Sequence, residues 1–452
     1  MGTITLGQAA AWCGGQIDPK YASVTFRGAN NDSRKILPGQ LFVALQGERD
    51  GHDYVGTAFE KGASAVLVSR PVGDVPAIVV DDTRIALGDI ARQERQRIGM
   101  KVVGVTGSVG KSTTKEMICA VLAQQYQVSK TPANHNNDIG MPMAILDMDE
   151  NTEIAVLEMG MNHFREIAYL TSIGKPDVAV ITNIGTMHIE HLGSQEGILQ
   201  AKLEILEGMC VDGRVILNGD DALLWNLHRK VDRKFIYFGA ANSESDCLGT
   251  RVEQKEQSIT FRANYAGVDV DVFLPLEGLH YVSDALSAIA VGVEMGITAQ
   301  QIHDSLAQFR NMAGRQEMFE AKGISFIKDC YNAGPESMAA ALAVLGNKPG
   351  RRVAVLGDML ELGACSDAEH YRVGRIAAEK ANVVLAYGPN SDRVTTGART
   401  GGIHKSLALH FEDRNALVGA MKRLIRPGDT VLVKGSRGMR MELALDAFLK
   451  EE

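Results

Sequence analysis

Val102-Val103-Gly104-Val105-Thr106-Gly107-Ser108-Val109-Gly110-Lys111-Ser112-Thr113 joins an apolar run to a glycine turn and a Lys-Ser pair. Its closely spaced valines read as a buried strand. A glycine-rich turn follows, and Lys111-Ser112 opens a helical pattern continued by Glu116, Met117, Ile118, Val121 and Leu122. Strand, glycine turn and helix together form the context of a phosphate-cradling loop. Glycines let backbone N–H groups converge on anionic oxygens, and the helix N-terminus adds partial positive charge. Lys111 is placed to reach the outer phosphates and the Ser112 hydroxyl to ligate Mg²⁺. The position five before Gly110 is Val105, where the commonest P-loop has glycine. The expected ligand is a nucleoside triphosphate.

Working outward, 452 residues suffice for two to four domains with substantial cores. Hydrophobic content of 45% with near-zero mean hydropathy describes a soluble globular chain. A net charge of −8, with no basic run, argues against nucleic acid as a partner. No signal peptide or membrane span is visible, so no membrane insertion is expected. Six scattered cysteines without a Cys-x-x-Cys pair read as reduced thiols of a cytoplasmic protein, and a monomer is expected.

Three blocks organise the chain. The first, residues 1–97, mixes short strands (24–27, 40–45, 65–68, 77–80) with helices such as 54–61. The second, 98–313, alternates strand and helix, with later strands at 153–159, 178–184, 214–217 and 235–238, as in a doubly wound sheet. It adds a hairpin over 258–262 and 268–274, then helices near 283–294 and 299–309. The third, 314–452, alternates strands (324–328, 352–356, 383–386, 430–433) with helices (337–345, 368–381, 415–425). Leu356-Gly357-Asp358-Met359 is a weak dinucleotide signal, since no Gly-x-Gly-x-x-Gly is present.

Several polar residues fall at strand ends, where open α/β sheets place ligands. His188, after Thr182-Asn183-Ile184-Gly185-Thr186-Met187, could bind a metal or simply serve its loop. Glu158, ending an apolar strand beside the P-loop strand, could hold Mg²⁺ or be a surface strand terminus. Lys202 reads as a solvated helix face; near Mg²⁺ it could contribute only if modified or paired. The loop Asn134-His135-Asn136-Asn137-Asp138-Ile139-Gly140-Met141-Pro142 is polar and turn-rich, suited to position a substrate or a metal-bound water. Asp329-Cys330-Tyr331-Asn332-Ala333-Gly334-Pro335 and Lys434-Gly435-Ser436-Arg437 are further strand-end turns. Lys434 and Arg437 suit an anionic ligand. Arg315, opening the third block, could reach a γ-phosphate from a mobile domain.

These segments, in this order, resemble the ATP-dependent Mur ligases of peptidoglycan synthesis nearly end to end. Asp32-Ser33-Arg34-Lys35, with Pro38 to Arg49, is similar to a uridine-nucleotide domain; residues 106–112 match the ligases' own P-loop. Asn136 to Pro142, Glu158-Met159-Gly160 and Thr182 to Glu190 match the central domain. Asp329 to Ala333, Gly357-Asp358-Met359-Leu360-Glu361-Leu362-Gly363 and Val433 to Arg437 are similar to signatures of the members that join D-alanyl-D-alanine to UDP-N-acetylmuramoyl-tripeptide. The Asn-Pro-Arg motif of the diamino-acid-adding members is missing. The implied architecture is α/β with three domains: a small α/β uridine-nucleotide domain, a central P-loop ATPase-like doubly wound sheet and a C-terminal Rossmann-like α/β domain.

The resemblance implies an ADP-forming ligase that activates a carboxylate as an acyl phosphate. It assigns catalysis to Lys111, Glu158, His188, Lys202 and Arg315. ATP would be held by Thr106, Gly107, Ser108, Val109, Gly110, Lys111, Ser112, Thr113, Asn137, Asp284, Arg315 and Asp329, the last at the ribose. Substrates would meet Ser33, Arg34, Phe42, Gly47, Asn136, Asn183, Asn332, Lys434, Ser436 and Arg437. Two Mg²⁺ are implied, with Ser112 at the first and Glu158, His188 and a carbamylated Lys202 at the second. The chain departs from the family pattern at Tyr281 and Asp284, where two asparagines are usual and one contacts adenine. It departs also at Gly334, where asparagine is usual, and at Ala133, where glycine is common. The alternatives are a sister ligase adding a single amino acid or extending folate or cyanophycin, a regulatory ATPase, and a non-catalytic nucleotide-binding homologue.

Overall fold

A computed structural model describes residues 3–231 and 233–450. The first part of the chain builds a four-stranded parallel sheet from Ala29–Asn30, Leu41–Val43, Ala65–Val68 and Ala77–Val79. Its long helix, Thr83–Ile98, starts where the Asp82 carboxylate accepts from the N–H groups of Arg84 and Ile85. It stops at Gly99, whose φ of 73° supplies the left-handed cap. This helix packs on the central-domain helices Gly140–Leu146 and Glu166–Gly174, so the first two blocks share one continuous apolar core.

The central domain is a nine-stranded sheet. From one edge it runs Val268–Leu274, Ile259–Tyr265, Cys247–Gln254, Ile236–Gly239, Arg214–Asn218, Val178–Ile181, Lys101–Thr106, Ile154–Glu158 and Val128–Lys130. The first three pair antiparallel and the rest parallel. The expected hairpin is therefore extended by the strand Cys247–Gln254 into a meander. Lys101–Thr106 is covered on both faces, with Val102 in one core and Val103 and Val105 in the other. That is why it reads as a nearly unbroken apolar run. After this strand the chain builds one side of the sheet, then crosses to the other at Val178–Ile181. The P-loop thus sits at the topological switch point, where the strand ends open a crevice.

The C-terminal domain is a six-stranded sheet in the order Glu317–Ala321, Ile324–Asp329, Thr430–Lys434, Arg352–Gly357, Val383–Tyr387, Ala408–Phe411. Only the edge strand Glu317–Ala321 runs antiparallel. Strand ends at Asp329, Gly357 and Lys434 point their following turns toward the central domain.

Two residues expected at ligands are built into the packing instead. Phe42 is 1% exposed, its ring among Ile36, Val55, Ala58 and Val66, and so is unavailable to a substrate. Asp284 lies on the helix His280–Glu294, which packs along the P-loop helix Lys111–Leu122. There it accepts a hydrogen bond from Thr114 Oγ1 at 2.9 Å. Burial raises its carboxyl to about 7, against the lowering effects of Thr114 and Arg315.

Phe42→Ala should cost about 3–5 kcal/mol of stability through the cavity it leaves, read by urea unfolding. For Asp284 the folded chain retains a proton that the unfolded chain has released between pH ~4 and about 7. Its contribution is therefore present below pH ~4 and lost as pH rises through that interval. Urea unfolding across the interval should show the parent losing stability relative to Asp284→Asn, with the difference levelling above it.

Candidate active site

The P-loop turn depends on two glycines with positive φ, Gly107 at 147° and Gly110 at 86°. A Cβ on Gly107 would lie 1.9 Å from Thr182 Oγ1, and one on Gly110 would lie 2.6 Å from Asp284 Oδ1. Residues after the neighbouring strand staple the loop in place. Asn183 Oδ1 accepts from the Val109 N–H and its Nδ2 donates to the Val109 carbonyl, both at 2.9 Å. Thr182 Oγ1 donates to that same carbonyl, and the Gly185 N–H donates to Ser108 Oγ at 2.9 Å. What remains open is the N-terminus of Lys111–Leu122, a helix start with unsatisfied N–H groups and positive dipole character. Lys111 Nζ rests on the carbonyls of Gly107 (2.8 Å) and Ser108 (3.2 Å). Burial pulls its ammonium below the ordinary lysine range; Glu158 opposes this and Arg315 adds to it.

Glu158 ends its strand inside the protein. Oε1 accepts from Asn136 Nδ2 at 2.9 Å, whereas Oε2 is buried without a hydrogen-bond partner and lies 3.8 Å from Lys115 Nζ. Lys115, one helical turn beyond Lys111, is fully buried and donates to the Thr131 carbonyl at 2.8 Å. It shares its helix face with Ile118, Cys119 and Leu122, three, four and seven residues on and all buried, which is the sequence signal for its burial. His188 is partly buried, with φ at 66° and Nδ1 2.5 Å from Glu361 Oε2. Burial lowers its pKa; Glu361 opposes that, and Lys111 and Lys202 reinforce it.

Lys202 is not on a solvated face. It is 2% exposed near the end of the helix Gln195–Leu203, and among the described residues no acceptor or carboxylate meets its ammonium. Burial, with Lys111 nearby, holds it well below the ordinary lysine range.

The C-terminal domain closes the far wall. Arg315 Nη2 donates to Ser112 Oγ at 3.1 Å, and its guanidinium stacks 4.0 Å from the centre of the Tyr331 ring. Between the domains lies a cavity of about 900 Å³ lined by Lys111, Ser112, Glu158, His188, Arg315 and Arg437 among others. Orphaned Glu158 Oε2 and the second nitrogen of His188 are donors that fit a hard divalent cation with help from Ser112. Among the described residues no three His, Cys, Asp or Glu side chains cluster tightly enough to hold a metal alone. Phosphate oxygens would have to complete the set, the usual arrangement for Mg²⁺.

The other expected contacts divide into two groups. Asn136, Asn137, Asn332, Ser436 and Arg437 reach the cavity wall. Asn137 nevertheless caps Gly140–Leu146 by accepting from the Gly140 N–H at 2.8 Å. Ser436 bridges the Ala333 carbonyl and the Leu360 N–H, and Arg437 donates to Glu442. Asp329 and Lys434 form a buried ion pair at 2.6 Å and lie behind the wall. Neither lines this cavity, and Lys434 Nζ also donates to the Asn332 carbonyl at 3.0 Å, which holds its turn. Asn183 and Asp284 likewise serve the P-loop and not the cavity. Ser33 is buried, Gly47 is in an exposed turn, and the Arg34 side chain is 83% exposed and paired with Asp32 at 2.8 Å. All three stand apart from this cavity, to whose wall the first domain contributes Arg84. Thr106 and Thr113 are buried under the loop.

Residues 105–292 match the Mur ligase middle domain, 314–437 the Mur ligase glutamate ligase domain, and 25–95 the Mur ligase family catalytic domain. The chain is 41% identical to the UDP-N-acetylmuramoyl-tripeptide–D-alanyl-D-alanine ligase of Bacillus subtilis, over 94% of this chain and 93% of that one. The structure of MurF from Acinetobacter baumannii superposes with a TM-score of 0.91 at 31% identity, covering 100% of both chains. That of the Thermotoga maritima MurF ligase in complex with ADP gives 0.82 at 30% identity, covering 94% and 97%. With its P-loop at the switch point, its strand-end Glu158 and its three matched domains, the chain belongs to the Mur ligase family.

Proposed function

We propose that the chain is an ATP-dependent, ADP-forming ligase that joins D-alanyl-D-alanine to UDP-N-acetylmuramoyl-tripeptide, making the UDP-MurNAc-pentapeptide precursor. We further infer that it works as a cytoplasmic monomer. Among the described residues no helix is long and apolar enough to cross a membrane. The observation that carries the reading is the convergence of Lys111, Arg315 and an open helix N-terminus on one interdomain cavity beside the orphaned oxygen of Glu158.

The chemistry requires two anions to meet. The tripeptide's terminal carboxylate attacks the γ-phosphorus of ATP, the bond to the bridging oxygen breaks, and ADP leaves. The amine of D-alanyl-D-alanine then adds to the acyl phosphate carbonyl, and collapse of the tetrahedral intermediate expels phosphate. Lys111 and Arg315 oppose the charge that accumulates on the transferring phosphoryl group. Arg315 comes from the C-terminal domain, so docking of that domain supplies a cation and excludes water from the acyl phosphate at once. Asn332, Ser436 and Arg437 face the same space and are assigned to the substrates; Ser33, Arg34 and Gly47 are assigned to the uridine end. Residues 1–97, 98–313 and 314–452 are the corresponding functional units.

Mg²⁺, when bound, screens the phosphates from the incoming carboxylate; Ser112 would hold one ion, and Glu158, His188 and Lys202 a second. Lys202 as an ammonium would repel that ion. Its burial favours the neutral amine, which can add to CO₂, forming an N–C bond and releasing a proton to give an anionic carbamate.

Phosphate release should depend on ATP, UDP-MurNAc-tripeptide and D-alanyl-D-alanine together, with the pentapeptide product seen by mass spectrometry. Turnover only with a free amino acid on the dipeptide precursor would instead identify an amino-acid-adding ligase. ATP binding without turnover in either assay would identify a non-catalytic homologue. Lys202→Ala should lower turnover by about 10²-fold or more, the scale for losing a preorganised charge at a reacting centre. Short carboxylic acids should restore part of it; loss without rescue would remove the carbamate from the mechanism.

A further inference from the structure

The loop Gly185-Thr186-Met187-His188 is gripped along its length by the C-terminal domain. The Thr186 N–H and hydroxyl both donate to Glu336 Oε1 at 3.1 Å. A Cβ on Gly185 would lie 2.9 Å from the Glu336 carboxyl, and one on Gly334 would lie 2.6 Å from Met187 Cγ. Glycine at both places permits this approach. At the far end His188 Nδ1 meets Glu361 Oε2 at 2.5 Å, and the Glu190 N–H donates to the Glu361 carbonyl at 3.4 Å. The near end is bonded to the P-loop through Ser108.

His188 and Glu361 share a second peculiarity. Both are non-glycine residues in the left-handed region, with φ of 66° and 63°. Such backbone persists only where the surroundings over-determine it, and it clusters at functional sites. Here the strain brings two side chains from different domains together. Glu361 as a carboxylate only accepts, so the proton of a neutral His188 lies on Nδ1 and the lone pair on Nε2.

We infer that Glu361 is a positioning residue: through His188 Nδ1–H it sets the tautomer and ring orientation that leave Nε2 free to ligate a cation, and it does so only when the C-terminal domain is docked. Metal-ligating histidines commonly hand their second N–H to a carboxylate that fixes the ring and raises its basicity. In this chain that carboxylate belongs to the domain that also carries Arg315. Docking would therefore complete the metal-facing histidine in the same movement that delivers the phosphate-facing cation. The inference rests on the metal-facing role given to His188 above.

The test uses the full chain with Mn²⁺ and a non-hydrolysable ATP analogue, reading Mn²⁺ binding by electron paramagnetic resonance beside the Mg²⁺ needed for half-maximal turnover. Glu361→Ala should weaken one class of bound Mn²⁺ by about 10–100-fold and raise the Mg²⁺ requirement in parallel. Glu361→Gln, whose amide oxygen still accepts from Nδ1–H, should recover most of that loss. In a His188→Ala background Glu361→Ala should add nothing. Should the alanine variant not fold, Glu361→Met fills the same space without an acceptor and takes its place. Unchanged Mn²⁺ binding in Glu361→Ala, or losses that add to those of His188→Ala, would make the contact a docking ion pair only and overturn the inference. Unchanged binding in His188→Ala itself would instead overturn the metal-facing role on which it rests.

Discussion

Positive charge is gathered between the central and C-terminal domains without enough carboxylate to balance it. Lys111, Arg315 and Lys202 converge on one region, where Glu158 is the nearby carboxylate that raises the Lys111 pKa. In a poorly solvated site such like-charge neighbours repel strongly, and each must find another source of stabilisation. Lys111 takes two loop carbonyls, Arg315 lies on the Tyr331 ring, and Lys202 is driven toward its neutral form. The first two arrangements leave the charge in place, where a polyphosphate would neutralise it. The affinity for a nucleotide is thus stored in the free protein as unrelieved repulsion.

That storage requires a rigid cradle, and most polar side chains near the site are spent on building it. Asn183 uses both ends of its amide on Val109, and Asp284 lies against Gly110 while bonding Thr114. Buried Lys115 ties the helix to the Thr131 carbonyl, and Thr131 Oγ1 accepts from the Glu158 N–H. The same pattern recurs across the cavity, where Lys434, Asp329 and Asn332 hold one turn together. A supporting shell of this kind fixes reacting groups more tightly than flexible side chains reaching for the ligand could.

This division explains what was legible in the sequence. The P-loop could be read because its strand, glycine turn and helix are contiguous in the sequence. The roles of Asn183, Lys434 and Phe42 could not. A strand-end polar group looks alike whether it faces a ligand or a backbone carbonyl, and an aromatic in a motif looks alike whether it stacks or packs. Lys202 and Lys115 share helix faces with apolar residues three and four positions away, yet the elements that cover those faces lie far off in the chain. The edge strand Glu317–Ala321 has no alternation in its residue types, since Glu317 shares the half-buried face with Phe319 and Ala321 while Met318 is exposed beside Glu320. The helix Gly140–Leu146 begins inside the stretch expected as a turn-rich loop, with Pro142 in its first turn, where proline is tolerated.

The departures from the family pattern gain a physical account in the same terms. Tyr281, where an asparagine is usual, donates through its hydroxyl to Gln316 Oε1 at 3.1 Å and accepts from Asn311 Nδ2 at 2.6 Å. Asn311 in turn donates to the Arg315 carbonyl at 2.6 Å. The substituted position therefore anchors the linker from which Arg315 reaches the P-loop. Gly334, where another asparagine is usual, is the surface against which Met187 packs. Both positions lie at the seam between the central and C-terminal domains, across which Arg315 meets Ser112 and Glu361 meets His188.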